Sequence, residues 1–227
     1  MKKTWLLFAS ITLAISLLAA CNSKEETNGT ESEPITEVKT DESTEDTTTE
    51  EVDDDADVTE ELPTTEVRAE NKTLHYSVLG EEKEESSTLT NSDEQNYSIY
   101  KLDGYSLTGE EPNKDSLYLD ENSAVFMRVE TISKDDASYD IIATNMFDSI
   151  ASVSIGQEPV KIDNKDKLPQ GEGITNPVGY ETTFELGTVS GFVFEQGNLI
   201  VRLTIFDQKS VNLTDAFLKM GETVATK

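Results

Sequence analysis

The sequence predicts an α+β fold in which two helices pack on an antiparallel sheet. Short runs of alternating apolar and polar residues, separated by turns, occupy much of 74–132 and of 180–206. This period of two is typical of strands joined as hairpins. Between the two groups, and again near the end of the chain, apolar residues recur every three or four positions, as on one face of a helix. Strand runs joined by hairpins favour antiparallel pairing over parallel βαβ units.

The first group of strands begins where aromatic residues return, at Tyr76. The predicted strands are 74–78, 87–90 (a short edge strand), 96–102, 105–107, 115–119 and 124–132. Glu81–Glu85 is predicted as a charged turn, and Asp103-Gly104 as a turn of the hairpin type. Three apolar residues of the last strand share one face: Val125, Met127 and Val129.

A change of period predicts a helix over 136–154. Its apolar stripe consists of Tyr139, Ile142, Met146, Ile150 and Val153. Asp135 is the predicted N-cap, and Asp136 lies in the first turn, where the helix dipole favours an acidic side chain. Gly156 and Pro159 are expected to end the helix.

A polar loop over 163–179 precedes the second group of strands. These strands are predicted over 180–186, 189–195 and 199–206, with a hairpin turn at 196–198. Both faces of the strand 199–206 carry apolar residues. Leu199, Val201, Leu203 and Ile205 lie on one face, and Ile200 and Phe206 share the other with Arg202 and Thr204. A strand of this kind is expected at the centre of a sheet that is covered on both sides.

The last predicted element is a helix from about 213 to 225. Its stripe consists of Leu213, Phe217, Met220 and Val224. Either Asn212 or Thr214 is expected to cap it. Because glycine inside a helix costs about 1 kcal/mol relative to alanine, Gly221 is expected to let the end fray.

This order of elements resembles the PsbP-like α/β/α sandwich. The resemblance covers about 97–225 and depends on residues 100–107 with their tight Asp-Gly turn, on the helix around 142–150, and on residues 197–203. It implies an accessory or binding module, since the family includes the extrinsic protein of the oxygen-evolving complex and several bacterial lipoproteins. The residues 71–95 depart from the usual start of that fold, and no family site can be transferred residue by residue.

The start of the chain resembles a bacterial lipoprotein precursor. Lys2 and Lys3 precede an uncharged, largely apolar run over 5–20, the pattern of a secretory signal peptide. The run ends in Leu18-Ala19-Ala20-Cys21, which matches each position of the lipobox. The resemblance implies that residues 1–20 are removed and that Cys21, the lipid attachment site, carries acyl chains such as palmitate. It places the protein on the outer face of the cell membrane.

The alternative for this segment is a membrane-spanning helix that is never cut. Its 16 residues fall short of the roughly 20 that a spanning helix needs. No cluster of basic residues follows it, since Lys24 stands beside Glu25 and Glu26. The lipoprotein interpretation is therefore preferred.

Residues 21–70 are predicted to form a disordered acidic tether. From 22 to 70 the chain has 19 acidic and 3 basic residues, 11 threonines and no aromatic residue. A segment with so little apolar surface cannot offset its conformational entropy by burial. As a flexible coil it would reach roughly 35–42 Å. The acidic run 52–57 lacks the central glycine of an EF-hand loop, so it is interpreted as a solvated charge run rather than a calcium site.

The remaining residues, 71–227, are predicted to form a single domain with 27 acidic and 13 basic residues. The formal net charge of the chain, −28, excludes an electrostatic interface for nucleic acid and opposes adsorption to an anionic membrane. With Cys21 as the only cysteine, no disulfide within the chain is expected.

The sequence predicts no catalytic residue, cofactor site or metal site. His75 is the only histidine and has no cysteine partner for a structural zinc site. No Gly-x-Ser-x-Gly stretch presents a nucleophile, and the glycines at 171 and 173 are not followed by the lysine of a phosphate loop. Glu181 and Glu185 are expected on one face of a strand, most simply as a solvated pair.

Two features suggest recognition instead of catalysis. The loop 168–179 is long and rich in glycine, although it also serves as a plain connector. Tyr97, Tyr100 and Tyr105 cluster in sequence, which suits either an interface or the strands that contain them.

The sequence therefore favours a membrane-anchored, non-enzymatic binding or accessory module with a protein or cell-wall partner. The first alternative is a small-ligand binding lipoprotein, which would show an apolar pocket of about 300 Å³ or more. The second is a hydrolase that uses carboxylates, which would show two buried carboxylates with raised pKa values.

Overall fold

The computed structural model describes residues 67–154 and 156–227, which form an α+β domain. All paired strands run antiparallel, and two α-helices pack on them, as the sequence predicted. The signal peptide, Cys21 and nearly all of the predicted tether lie outside the described residues.

The strands and helices follow one another in this order: β1 Asn71–Val78, β2 Glu81–Asn91, β3 Ser98–Leu102, β4 Tyr105–Glu111, β5 Lys114–Leu119, β6 Asn122–Ser133, α1 Tyr139–Val153, β7 Val160–Lys161, β8 Ile174–Thr183, β9 Gly187–Gln196, β10 Leu199–Gln208 and α2 Thr214–Gly221. A short 3₁₀ turn, Lys165–Lys167, precedes β8.

The first three strands form a separate sheet in the order β1-β2-β3. The predicted turn at Glu81–Glu85 is wrong, because these residues are paired strand: Glu84 lies opposite His75 in β1. The turn is instead Leu79-Gly80, where φ is 53° and 83°. Two consecutive positive φ angles suit the tight turn between twisted strands, and glycine adopts them without strain. The strand β2 accommodates these charged residues because its first six positions are exposed to solvent.

Two further expectations about this region are corrected. Residues 87–90 belong to β2, which is the middle strand of its sheet and not an edge. Asp103-Gly104 does form a turn, but it leads from β3 into β4, and these strands belong to different sheets. The dipeptide therefore carries the chain from one sheet to the other instead of closing a hairpin.

The larger sheet has seven strands in the order β4-β5-β6-β10-β9-β8-β7. The prediction that 199–206 is a central strand covered on both faces is confirmed: β10 is fourth of the seven. Leu203 points into one core and Ile200 into the other. The predicted inward face of β6 is also confirmed, since Val125, Met127 and Val129 are fully buried.

The two cores lie on opposite faces of the seven-stranded sheet. Helix α1 covers one face through Met146 and Ile150, which pack with Val189, Val193 and Ile200. On the other face, α2 and the three-stranded sheet share a larger core that includes Phe217, Tyr97 and Leu203. The domain is therefore layered, with α1 on one side and α2 with β1–β3 on the other.

Both helices start later than predicted. The N-cap of α1 is Ser138 and not Asp135, and the last stripe residue, Val153, is half-exposed. The N-cap of α2 is Leu213, and neither Asn212 nor Thr214 caps the helix with its side chain. Asp207 of β10 takes this role, since its carboxylate accepts hydrogen bonds from the backbone N–H and the hydroxyl of Thr214.

Helix α2 ends at Gly221, four residues before the predicted end at 225. The residues that follow are held by hydrogen bonds and are not frayed as expected. Gly221 is buried against Leu203 of β10. Beyond it, Ala225 pairs with Ser98 through two backbone hydrogen bonds of 2.8 and 3.0 Å. Residue 221 is a glycine because α2 approaches Leu203 of the sheet so closely that a side chain would not fit.

The predicted loop 163–179 is shorter in the structure, because β8 already begins at Ile174. A bulge between Thr175 and Val178 interrupts the pairing of β8 with β9, and Asn176 has a φ of 52°. This bulge, with Pro177 in it, breaks the alternation that the sequence analysis used to find strands. At its other end β8 stops at Thr183, so the predicted strand 180–186 is too long.

The last residues of the predicted tether contact the domain. Arg68 donates hydrogen bonds to the carbonyl of Ser98 and to the carbonyl of Thr223, at 3.0 and 2.6 Å. Its guanidinium also lies 4.6 Å from the ring centroid of Tyr100. The chain thus enters the fold on the face that carries α2 and the small sheet, opposite α1.

Candidate functional site

The residues singled out for chemistry do not come together. His75 lies on β1, and its imidazole is 69% exposed beside Glu84 at 3.8 Å. Glu181 and Glu185 do not share a strand face, since Glu185 lies beyond the end of β8. Glu181 borders a cavity on the α2 side of the sheet, whereas Glu185 borders a different cavity beside α1. Among the described residues, no group of three or more His, Cys, Asp and Glu is placed to hold a metal ion.

The three clustered tyrosines belong to the core and not to an interface. Tyr97, Tyr100 and Tyr105 are at most 7% exposed. Tyr97 donates to Asp115 at 2.6 Å, and Tyr100 donates to the carbonyl of Ala69 at 2.7 Å. The sequence allowed either interface residues or strand residues. The structure shows that these tyrosines are strand residues that pack inward.

A polar cleft of about 490 Å³ lies between the sheet, α2 and β1. Two of the four carboxylates that line it accept hydrogen bonds from neighbouring elements. Asp207 accepts from Thr214, as described, and Asp215 accepts a 2.6 Å hydrogen bond from the backbone N–H of Ser77. These bonds tie α2 to β10 and to β1, so Asp207 and Asp215 have a structural role.

A second cavity, of about 560 Å³, lies on the opposite face of the sheet at the C-terminal end of α1. We call it the α1 groove; its lining residues are Val153, Ser154, Gln157, Thr182, Thr183, Phe184, Glu185, Leu186, Val189 and Phe206. Its floor is buried, with Val189 at 3% exposure. Its rim is exposed, with Val153, Phe184 and Leu186 at 42%, 45% and 71%. The groove is therefore open to solvent and presents apolar side chains.

The outer wall of the groove is the turn from β8 to β9, and it is held in place. The backbone N–H of Phe184 donates to the carbonyl of Gly187 at 2.9 Å. Just beyond β10, Lys209 donates its backbone N–H to the carbonyl of Leu186 and its ammonium to the carbonyl of Glu185, at 3.1 and 3.2 Å. Phe184 and Leu186 are thus displayed by a fixed turn.

Close packing beneath the turn also fixes it. A Cβ added to Gly187 would lie 1.9 Å from the carbonyl oxygen of Asp207 and 2.9 Å from the ring of Phe184. Only glycine allows the start of β9 to approach β10 this closely. The ring of Phe184 therefore packs closely over Gly187.

The inner wall is the end of α1, which carries no compensating positive charge. Its C-cap is Ser154, which lines the groove, and no basic residue lies in its last turn. The carbonyl end of a helix carries a partial negative charge of about half an elementary charge. Glu185, on the opposite wall, is the one charged side chain among the lining residues.

This arrangement suits binding more than catalysis. An open apolar rim with a buried floor can take up apolar side chains from a partner, and its surroundings favour positive charge. The nucleophile, the base and the oriented donors that a catalytic site needs are not brought together in the groove. No helix among the described residues is long and apolar enough to cross a membrane.

The sequence analysis missed the α1 groove. Phe184 and Leu186 were assigned to a strand of regular alternation, and Val153 to the buried stripe of the helix. One signal was present: Phe184 and Leu186 precede a glycine at the point where a turn must fall between two strands. Large apolar residues at a turn are unusual enough to suggest an exposed patch.

Part of the chain is similar to a family whose function is not known. Residues 68–159 match the model of a family described as a domain of unknown function (DUF8580). The match begins at Arg68, which contacts the domain, and extends through β1–β6 and α1. None of the curated proteins matches this chain.

Among solved structures, the chain is similar to a crystal structure from Bacteroides thetaiotaomicron VPI-5482, determined at 1.50 Å resolution. The TM-score is 0.40 and the sequence identity is 10%. The similarity covers 61% of this chain and 48% of that one, so this chain spans about half the length of the protein it resembles.

Proposed function

We propose that this chain is an extracytoplasmic lipoprotein whose domain, 71–227, is a non-enzymatic binding module. In this proposal residues 1–20 are a signal peptide, acyl chains on Cys21 hold the protein at the outer face of the cell membrane, and the acidic segment 21–70 spaces the domain from the lipid. The complete lipobox Leu18-Ala19-Ala20-Cys21 supports the anchor. The acidic composition of 22–70 supports the spacer.

The observation that carries the binding role is the α1 groove. Its apolar rim residues Phe184 and Leu186 are exposed to water, yet the turn that bears them is fixed by hydrogen bonds to Lys209. Exposed apolar groups on a rigid support are typical of interaction sites, since they bind without a large cost in ordering. The groove lies on the face of the sheet opposite the one that Arg68 contacts, so residues 67–70 do not cover it.

The proposal includes a PsbP-like arrangement. It is supported by α1 and α2, which pack on opposite faces of one antiparallel sheet. The three-stranded sheet β1–β3 is additional to a plain α/β/α sandwich and shares the face of α2. In that family an accessory or binding role is usual, which agrees with the role proposed from the groove.

The test is site-specific photo-cross-linking on intact cells. A benzophenone amino acid replaces Leu186 in the full chain, and a matched control replaces Leu79, an apolar residue that is 64% exposed on the β1–β2 turn. We expect a light-dependent adduct from position 186, none from position 79, and a weaker adduct when Phe184→Ser is added. The same yield from both positions, or no adduct from 186, would overturn the proposal.

A small-ligand carrier is the second candidate, and the size of the groove favours it. Its volume of about 560 Å³ lies within the range of about 300–1,000 Å³ that is typical of ligand pockets. Such pockets bury most of their ligand, whereas Leu186 on the rim is 71% exposed. Native mass spectrometry of the purified full chain decides between the two: a bound small apolar molecule that is lost in Phe184→Ser would favour the carrier.

A further inference from the structure

The chain around the α1 groove has an extreme charge distribution. From Lys134 to Lys161 the intervening residues include five acidic side chains and no basic one. From Lys167 to Arg202 they include four acidic side chains and no basic one. These two stretches supply every lining residue of the groove except Phe206. Not all of these carboxylates lie at the groove: Glu181 borders the cavity on the α2 side, and Glu195 is paired with Lys134 at 3.1 Å. At the groove itself, Glu185 is a lining residue, and Glu158 follows the lining residue Gln157 in the chain.

The end of α1 adds to this negative potential. The last turn lacks the lysine or arginine that commonly neutralises the carbonyl end of a helix, and its C-cap Ser154 lies in the groove. Lys209 is close to the turn, but its ammonium is directed to the carbonyl of Glu185. A positively charged group that entered beside Ser154 would meet the helix end and the carboxylate of Glu185 together.

We infer that the α1 groove binds a cationic amphipathic protein segment, in which apolar residues contact Phe184 and Leu186 and lysine or arginine residues flank them. This inference rests on the proposed binding function and names the chemistry of its partner. Apolar contact supplies the affinity, and the surrounding charge selects the partner and accelerates its association.

The same charges exclude other occupants of the groove. The segment 22–70 of this chain has a net charge of −16, so like-charge repulsion opposes its docking here. A second copy of this face would bring the same acidic stretches together. Nucleic acids and anionic lipid surfaces are excluded for the same reason.

The test uses the full lipidated chain in phosphatidylcholine nanodiscs and three labelled peptides of about a dozen residues. The first has Leu and Phe at its centre and Lys at both ends, the second has Glu in place of Lys, and the third keeps Lys but has a Ser-rich centre. Binding is followed by fluorescence anisotropy, with empty nanodiscs as the blank. The third peptide measures attraction to acidic residues alone.

We expect the first peptide to bind much more tightly than the other two. Leu186→Ser should weaken binding of the first peptide about tenfold, as for loss of one apolar contact, whereas the control Leu79→Ser should not. Glu185→Gln should weaken it less, and the control Glu84→Gln on exposed β2 should have no effect. Raising NaCl from about 50 to about 300 mM should lower the affinity.

Equal binding of the Lys and Glu peptides would overturn the inference, and so would binding of the first peptide that is unchanged by Leu186→Ser. The two levels of the proposal fail separately. If position 186 cross-links in cells but the peptides show no preference for positive charge, the groove is a docking site and the inference about its partner is wrong. If position 186 does not cross-link, the proposed function itself is wrong.

Discussion

At the scale of single residues, the buried pair Tyr97 and Asp115 shows how a polar contact is held inside the larger core. Both are at most 1% exposed, and the tyrosine hydroxyl donates to Oδ2 of Asp115. Within the described part of the chain, Oδ1 of Asp115 has no hydrogen-bond partner. Burial, followed by the hydrogen bond and charge of Asp115, raises the pKa of Tyr97 above its usual range, so the hydroxyl stays protonated and donates.

Tyr97→Phe should therefore be strongly destabilising. Removal of the hydroxyl leaves a buried carboxylate unpaired, which costs about 2–3 kcal/mol in the free energy of unfolding. Urea denaturation measures the change. The matched control is Tyr118→Phe on β5, since no hydrogen bond of that hydroxyl is found in the described residues; it should change stability by less than about 0.5 kcal/mol.

A second substitution checks the cause. In the Tyr97→Phe background, Asp115→Asn should recover part of the loss, because a neutral amide costs less to bury than an unpaired carboxylate. If Tyr97→Phe and Tyr118→Phe lower the urea midpoint equally, the hydroxyl does not stabilise the core as described here.

At the scale of elements, the exposed turn between β8 and β9 depends on packing below it. The start of β9 approaches β10 so closely that Gly187 has no room for a side chain against the carbonyl of Asp207. The carbonyl belongs to β10, which is paired with β9 at this position, Asp207 opposite Thr188. A similar approach holds α2, where Gly221 packs on Leu203.

Gly187→Ala should accordingly destabilise the domain by about 1–3 kcal/mol, as overpacking does, and should disturb the α1 groove. The neighbouring change Thr188→Ala removes atoms and adds no clash, so it serves as the control. Thermal unfolding followed by circular dichroism measures both. A midpoint for Gly187→Ala that equals that of Thr188→Ala would show that the turn has room to adjust.

At the scale of the whole molecule, the proposed anchor would bind the membrane by burial of acyl chains, whereas the charge of the domain opposes binding to an anionic membrane. The domain is strongly acidic, so an anionic membrane repels it, and only acyl chains would hold it at the surface. Each buried methylene of an acyl chain contributes about 0.8 kcal/mol, so two chains anchor far more firmly than one.

Cys21→Ser should therefore release the protein into the medium or leave an uncut precursor. Fractionation of cells that express the full chain, followed by immunoblotting, measures the distribution and the size of the product. Tyr118→Phe, a change inside the domain, serves as a control and should stay with the membrane. If the Cys21→Ser chain is processed and retained as before, the lipoprotein assignment is wrong.

The sequence by itself determined the α+β class, both helices and the faces of the strongest strands. Alternation along 199–206 and the three- and four-residue spacing of Met146 and Ile150 report which side chains are buried, and this information is local. The fully buried Val125, Met127 and Val129 and the two-faced β10 follow from it directly.

Only the tertiary structure decided how the strands divide into two sheets and where the α1 groove lies. Pairing between distant segments leaves no periodic trace, so Asp103-Gly104 looks like a hairpin turn although it joins two sheets. Phe184 and Leu186 fit a strand by pattern, yet they are exposed because β8 ends at Thr183, where Gly187 brings β9 against β10. Burial patterns are set residue by residue, whereas a groove exists only where three distant segments meet.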